Sequence, residues 1–443
     1  MSCRISPYRT QIRPEQRRSK TPTQRRSKKK AEQDTHTKAE QDTHKNLGEH
    51  VDSCLSECIL VARHLILVAR PEARAMPAYA RKEIVDESDV GVYHCVARCV
   101  RRAFLCGVDR YSGKNFDHRK VWVCERLEEL AAIFAVDVLG FAIMSNHIHV
   151  LLRTRPDVAQ DWSEEEIARR WWNLHPMRRN DDGTPAVPEP CELVAIQADL
   201  QRLAVLRRRL SSLSWLMRSL CEPIARRANR EDRCTCRFFE GRFKSQAVID
   251  EPALLACSIY VDLNPIRACI AETPETSDFT AAFERIAARQ QQVPRQEVHT
   301  VATKTPPTDD AGMEPGSTTA RDAWLSPVPD AEVPDSLSDR LPRGPQRRAS
   351  NRGFLPMTLD EYLELLDWTG RQIRTGKRGA IPAALLPILE RLRINAEAWV
   401  DTIEQFGRKF RRAIGRVSSM AAFAGARGKY WFQGVSASRS AFG

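Results

Sequence analysis

Between Met76 and about Phe283, segments with two different spacings of apolar residues follow one another along the chain. Apolar side chains recur at every second position in a half-buried strand, and at every third or fourth position in an amphipathic helix. The first spacing predicts strands over residues 92–100, 136–144, 147–154 and 243–249. The second predicts helices over residues 119–134, 164–172, 192–230 and 252–263. Residues 76–284 are therefore expected to form one domain of mixed α and β structure.

The order of these elements predicts how they are arranged. Two strand–helix units surround a central hairpin, which turns tightly at Ser145 and Asn146, and this is the split βαβ order. We therefore expect an α+β fold with a ferredoxin-like antiparallel sheet that carries its helices on one face. Residues 156–207 are expected to be a helical insertion in this domain.

Residues 1–75 differ from the domain that follows them. They are polar and basic up to Lys45, and the segment Ala31–His36 is repeated at Ala39–His44. One interpretation is a basic arm that binds DNA. We favour a disordered tail, or upstream sequence translated from a start codon set too early, because Met76 opens the first well-patterned region.

The region after the mixed domain has two parts. Residues 285–350 are predicted to be a linker, since the stretch 291–350 contains nine prolines and few apolar residues. Thr358 and Glu361 have the spacing of a capping box, which predicts that a helix begins there. Further helices are predicted over residues 382–392 and 396–414. Residues 351–443 are therefore expected to form a small all-α C-terminal domain.

Composition and charge narrow the class of protein only a little. The balance of 69 Lys and Arg against 57 Asp and Glu suits a nucleic-acid partner, but residues 1–50 alone carry 13 basic and 6 acidic residues. Thirteen cysteines include no Cys-x-x-Cys pair, which favours reduced thiols over a zinc site. With no long apolar run and no secretory signal, we expect a cytoplasmic protein without a membrane partner.

Two histidines stand out in the predicted strand over residues 147–154. His147 and His149 are two positions apart, so their imidazoles project from one face of the strand. Two neighbouring imidazoles make half of a site for a divalent metal ion. The alternative is a pair of ordinary structural histidines.

Tyr260 and Asn264 lie about 40° apart on an ideal helix, at ~100° per residue, and so share one stripe. Small residues share this stripe, namely Ala253, Ala256 and Cys257. They would leave room for a bulky group to approach the phenol, as suits a nucleophile beside a metal ligand. Pro265 disfavours helical geometry at Asn264 and is expected to end the helix there.

Basic and aromatic side chains are interspersed over residues 238–246, which lead into the fourth predicted strand. Cations that meet phosphates and rings that stack on bases are what single-stranded nucleic acid requires. A β-hairpin with exposed charges is the alternative. The candidate DNA-binding residues are Arg98, Arg101, Arg102, Arg242, Phe243, Lys244, Gln246 and Arg267.

Together these motifs resemble the catalytic domain of the HUH single-tyrosine transposases, in particular the REP-associated tyrosine transposases. The resemblance rests on residues 92–98, 144–152, 241–246 and 260–268, and it covers roughly residues 76–283. It implies that His147 and His149 bind a metal ion, Mg²⁺ or Mn²⁺, that Asn264 is the third ligand, and that Tyr260 is the nucleophile. The linker and the C-terminal domain have no counterpart in the minimal family pattern.

The implied activity is that of a DNA transposase, which cleaves and rejoins single-stranded DNA through a 5′-phosphotyrosine intermediate. A divalent cation on the scissile phosphate would compensate for the poor nucleophilicity of a phenol at neutral pH. The partner would be single-stranded or hairpin DNA, and a homodimer is left open. Two alternatives are a domesticated, non-transposing protein that binds or cuts hairpin or repeat DNA, and a metal-dependent hydrolase that uses the histidines with water.

Overall fold

The computed structural model describes residues 83–100, 105–109, 113–292, 320–328, 347–375, 389–390 and 392–443. All of them belong to one compact unit, Tyr79–Gly443. The predicted N-terminal extension, residues 1–75, lies outside the described residues. No helix within those ranges is long and apolar enough to cross a membrane.

The strands span Gly91–Arg98 (β1), Val136–Ile143 (β2), His147–Thr154 (β3), Lys244–Val248 (β4) and Ala413–Ile414 (β5). They lie in the order β2-β3-β1-β4-β5. The first three pairings are antiparallel, whereas β4 pairs in parallel with β5. The predicted α+β class and the four predicted strands are confirmed. The sheet is mixed rather than antiparallel, because β5 comes from the C-terminal region that the sequence predicts to be all-α.

One face of the sheet is covered by the helices that connect its strands. They are α1 (His118–Ile133), α2 (Pro156–Asp161), α3 (Glu164–Leu174), α4 (Pro190–Gln197), α5 (Leu200–Leu210) and α6 (Leu213–Glu231). Tyr93 on β1 and Val150 on β3 lie in the same buried cluster as Leu127 on α1 and Leu220 on α6. The predicted single helix over residues 192–230 is three helices, and Asp199 caps the second by accepting from the backbone of Arg202.

The opposite face is covered as well. It carries α7 (Glu251–Asp262), α8 (Asn264–Arg267), α10 (Leu359–Thr375), α11 (Ala396–Glu404), α12 (Phe406–Lys409) and α14 (Val435–Phe442). Helix α9 (Ala281–Gln292) lies beside β2, and α13 (Val417–Gly425) packs against α14, with its Phe423 against the buried cluster of the first face. A 3₁₀ turn spans Pro274–Thr276. The prediction of helices on one face is therefore wrong. Every α7 residue from Pro252 to Asp262 is buried, and a helix that is apolar all round needs a partner on each side.

The C-terminal region supplies that second partner. Tyr362 on α10 and Trp399 on α11 belong to the same buried cluster as Leu255 on α7. Ser350 donates to the buried carboxylate of Asp137 on β2 at 2.9 Å. The C-terminal region is thus built into the core around the sheet.

The predicted linker and C-terminal helices differ in detail from the structure. Within the linker range, α9 extends to Gln292, and Trp324 is buried with its ring 5.2 Å from that of Phe141. The predicted capping box is confirmed, because Glu361 and Thr358 each accept from the other's backbone N–H, at 2.7 and 3.3 Å. The predicted helix over residues 396–414 breaks into α11, α12 and β5. Most of the predicted helix over residues 382–392 lies outside the described residues.

Candidate functional site

Three strands bring His94, His149 and the amide of Gln246 together on the face of the sheet that packs against α7. Cross-strand register places His94 on β1 opposite Gln246 on β4, and Val96 opposite His149 on β3. His94 is therefore the diagonal neighbour of His149 on the same face. The predicted pair is also close, with the rings of His147 and His149 4.7 Å apart.

A chain of hydrogen bonds runs through these buried side chains. Gln246 Oε1 is 3.4 Å from His94 Nδ1, and His94 Nε2 is 2.8 Å from His149 Nδ1. Because the amide oxygen is an acceptor, His94 Nδ1 is the donor, and a neutral His94 then accepts at Nε2 from His149. This tautomer leaves the lone pair on Nε2 of His149, an atom that is buried and has no hydrogen-bond partner among the described residues.

Burial keeps all three imidazoles neutral. It lowers the pKa of His94 to about 4 and that of His149 well below its usual value. Burial, followed by the charge of Arg98 and by His94, lowers the pKa of His147 to about 4. Neutral imidazole is the form that binds metal ions.

Tyr260 on α7 completes the group. Its ring centroid lies 5.7 Å from that of His149 and 5.9 Å from that of His94, in edge contacts. The sequence predicts that small neighbours leave the phenol accessible, but its other side is covered. Phe406 of α12 stacks on the ring at 4.5 Å, and Tyr260 is only 8% exposed.

Tyr260 lines a cavity of about 520 Å³. A Cβ added to Gly407 would come within 3.1 Å of Tyr260 Oη, so the α12 backbone passes close to the hydroxyl. Arg267 and Arg408 also line the cavity, and the Arg267 guanidinium lies 4.8 Å from the centre of the tyrosine ring. Two guanidinium groups in one cavity with the phenol could hold a phosphate there.

Asn264 lies just beyond the end of α7, but the predicted loss of helical geometry at Asn264 is wrong. The helix ends at Asp262, and Asn264 opens the short helix α8. Its amide nitrogen donates to the carbonyl oxygens of Tyr260 and Val261, at 2.9 and 3.3 Å. The amide oxygen is the atom that could bind a cation.

These residues fit a divalent metal ion in part. Nε2 of His149 is a buried, unprotonated nitrogen without a partner in the described part of the chain, as a ligand position requires. His147 holds Nδ1 2.6 Å from Asn146 Oδ1, which fixes its ring and leaves its second nitrogen for a ligand. Over the described ranges, however, no group of three His, Cys, Asp or Glu side chains could hold an ion. A site here would need the amide oxygen of Asn264 or an oxygen atom of a bound ligand.

The predicted DNA-binding residues differ from one another in how far they are exposed to solvent. Arg98, Arg242 and Lys244 are exposed and Phe243 is half-buried. Gln246 is buried beside His94, and Arg267 donates to the carbonyl oxygen of Glu404 at 2.6 Å. Arg101 and Arg102 lie outside the described residues.

Four residues of the site were not predicted from sequence, namely His94, Phe406, Gly407 and Arg408. His94 could have been noticed by alternation, since it lies on the opposite face of β1 from the apolar residues Tyr93 and Cys95. Phe406 and Gly407 lie nearly 150 positions after Tyr260, and no local pattern indicates their contact with it.

No protein family profile matches the chain, and no curated protein matches it. Among solved structures, a REP-associated tyrosine transposase bound to a REP hairpin aligns with 54% of this chain and 100% of its own, at 10% identity and a TM-score of 0.29. A similarity this weak does not by itself establish a shared fold or activity.

Proposed function

We propose that this protein cleaves and rejoins single-stranded DNA, with Tyr260 as the nucleophile and His147, His149 and Asn264 as ligands of Mg²⁺ or Mn²⁺. One observation carries the proposal: the ring of Tyr260 lies 5.7 Å from that of His149, whose buried Nε2 has no hydrogen-bond partner among the described residues. A phenol whose ring contacts an imidazole with an open ligand nitrogen suits metal-assisted phosphoryl transfer.

The reaction follows from the groups present. Tyr260 Oη attacks the scissile phosphorus, an O–P bond to tyrosine forms, and the P–O3′ bond breaks. The phenol loses its proton, and the departing 3′ oxygen gains one. The product is a 5′-phosphotyrosine link that keeps the energy of a phosphodiester, so a new 3′-hydroxyl can reverse the step and join another strand.

The surrounding side chains have supporting roles. When bound, the divalent ion would neutralise charge that develops on the phosphate. His94 orients His149 through the bond between His94 Nε2 and His149 Nδ1, and Gln246 orients His94 in turn. Arg267 and Arg408 line the cavity beside the phenol and could bind the phosphate oxygens.

The sheet supports the same proposal. Strands β1 to β4 lie in the order β2-β3-β1-β4 with antiparallel pairings, and α1 and α6 precede β2 and β4. We propose that these elements are a split βαβ of the ferredoxin-like kind, extended by β5. In this arrangement the histidines lie on central strands, where their positions are rigid.

A second candidate is a protein that binds hairpin DNA without strand transfer. The observation that favours it is the cover over Tyr260, which stacks on Phe406 and is 8% exposed. Both functions predict DNA binding, and only the first predicts a covalent adduct.

The test uses a single-stranded oligonucleotide that contains an imperfect palindrome from the DNA flanking the gene. Because the protein would keep the 5′ phosphate, a 3′-labelled strand incubated with Mn²⁺ should give a denaturation-resistant protein–DNA band. Tyr260→Phe should eliminate this band, whereas Tyr430→Phe, at a fully exposed tyrosine, should retain it. A band of equal intensity from Tyr260→Phe would exclude the proposed nucleophile.

A further inference from the structure

A cleft of about 670 Å³ lies between α3 and α6, in and beside the predicted helical insertion. It shares no lining residue with the cavity at Tyr260. We call it the Arg/Trp cleft, after Trp171, Trp215, Arg126, Arg179, Arg218 and Arg226, which line it. The roles described above use none of these residues.

Aromatic rings form one wall of the Arg/Trp cleft. The ring centroids of Trp171 and Trp215 are 5.9 Å apart, and His175 lies 4.6 Å from Trp171. Both tryptophans are half-buried, so each keeps part of its surface in the cleft. Half-buried rings in contact with one another are a platform on which bases can stack.

The charge of the cleft is positive. Its lining contains four arginines and one acidic residue, Glu222, which pairs with Arg218 at 3.0 Å and also with Arg226. Arg209 adds a further cation 4.4 Å above the ring of Trp215. Burial, followed by the charges of nearby arginines, lowers the pKa of His175, which agrees with a positive local potential. Such a surface suits a polyanion.

A second cleft, of about 560 Å³, continues this surface towards the strand that carries Lys244. Arg218 and Glu222 line both clefts. The second cleft is also lined by Arg242 and Phe243, from the segment predicted to bind DNA, and by Arg237, which directly precedes that segment. Cations and rings therefore extend from that segment across α6 to the tryptophan pair.

We propose that the Arg/Trp cleft binds single-stranded DNA that flanks the hairpin cleaved by the protein. The proposal rests on the proposed function for the identity of the substrate. Bases would stack on Trp171 and Trp215, and Arg218 and Arg226 would contact phosphates. The helical insertion would thereby lengthen the stretch of DNA that the protein holds.

The test measures binding of a fluorescent twelve-nucleotide oligo-dT to the full chain by anisotropy, over a range of salt concentrations. The double variant Arg218→Gln, Arg226→Gln should bind about tenfold more weakly, and the magnitude of its salt slope should fall by about 1.4, since two phosphate contacts to a single strand are lost. Trp171→Leu should also weaken binding about tenfold by removing a stacking surface. The control is Arg371→Gln, an exposed arginine of α10 outside both clefts, which should bind as the parent does.

A second measurement locates the DNA directly. Oligo-dT that contains bromodeoxyuridine should crosslink under ultraviolet light to a peptide containing Trp171 or Trp215. Unchanged affinity and salt slope in both cleft variants, or crosslinks found only outside the cleft, would overturn the proposal. Neither measurement requires cleavage, so each gives its answer whether or not Tyr260 forms a covalent adduct.

Discussion

At the scale of single residues, the proposed chemistry depends most on the nitrogen atoms of His147 and His149. Each imidazole would supply one of the few protein ligands of the metal ion, so the loss of either one should greatly weaken metal binding. His147→Ala and His149→Ala should each abolish measurable Mn²⁺ binding in isothermal titration calorimetry, and with it adduct formation. The matched control is His118→Ala, a histidine that pairs with Glu231 at the start of α1. Parent-like Mn²⁺ affinity in both strand variants would exclude the metal site.

His94 tests whether the hydrogen-bond chain behind His149 matters. It accepts from His149 Nδ1 at 2.8 Å, and removing such a partner of a metal ligand typically weakens metal affinity about 10–100-fold. We therefore expect His94→Phe to weaken Mn²⁺ binding by that range, and His94→Gln, whose amide oxygen can accept the same proton, to recover part of the loss. A purely structural role would give equal Mn²⁺ affinities in the two variants once both are shown to be folded.

At the scale of elements, the close approach of α12 to Tyr260 gives a sharp test. A methyl group added at Gly407 would lie 3.1 Å from Tyr260 Oη, so the phenol would have to move by a few tenths of an ångström. Because phosphoryl transfer depends on alignment, Gly407→Ala should slow adduct formation about tenfold. Gly425→Ala, at a helical glycine with open space around its Cα, is the matched control. Equal rates for the two variants would show that α12 does not constrain the nucleophile.

The strand and helix boundaries around the site could be predicted because they depend on local patterns. Alternation placed β1 and β3 to within two residues, and apolar residues placed α7 to within one. The packing of the C-terminal helices on α7 was not predicted, although a signal was available: residues 252–263 place apolar side chains on every side of the helix, and Asp262 is their only charged residue. Such a helix requires partners on two faces, but its sequence does not say which distant segment supplies the second.

At the scale of the whole molecule, the C-terminal region shares one core with the sheet. Tyr362 Oη donates to Asp262 Oδ2 at 2.6 Å, between α10 and α7, and both side chains are buried. Tyr362→Phe leaves that carboxyl group without its phenol donor and should lower the free energy of unfolding by about 1–3 kcal/mol. Urea denaturation measures the change. Tyr430→Phe, at a fully exposed tyrosine, should stay within about 0.5 kcal/mol of the parent.

A C-terminal region that folded apart from the sheet would give a different result. Two unfolding transitions would then be seen, and only the transition of the C-terminal region would respond to Tyr362→Phe. A single transition that shifts as a whole is expected, because α7 lies between the sheet and the C-terminal helices.

The central claim, that Tyr260 is the nucleophile, is tested most directly by mapping the covalent adduct. The parent protein is incubated with hairpin-bearing single-stranded DNA and Mn²⁺, digested with protease and nuclease, and analysed by mass spectrometry. The account predicts one modified peptide, which contains Tyr260 with a 5′-linked deoxynucleotide phosphate on its side chain. A deoxynucleotide found on another residue, or strand cleavage with no modified peptide, would contradict it.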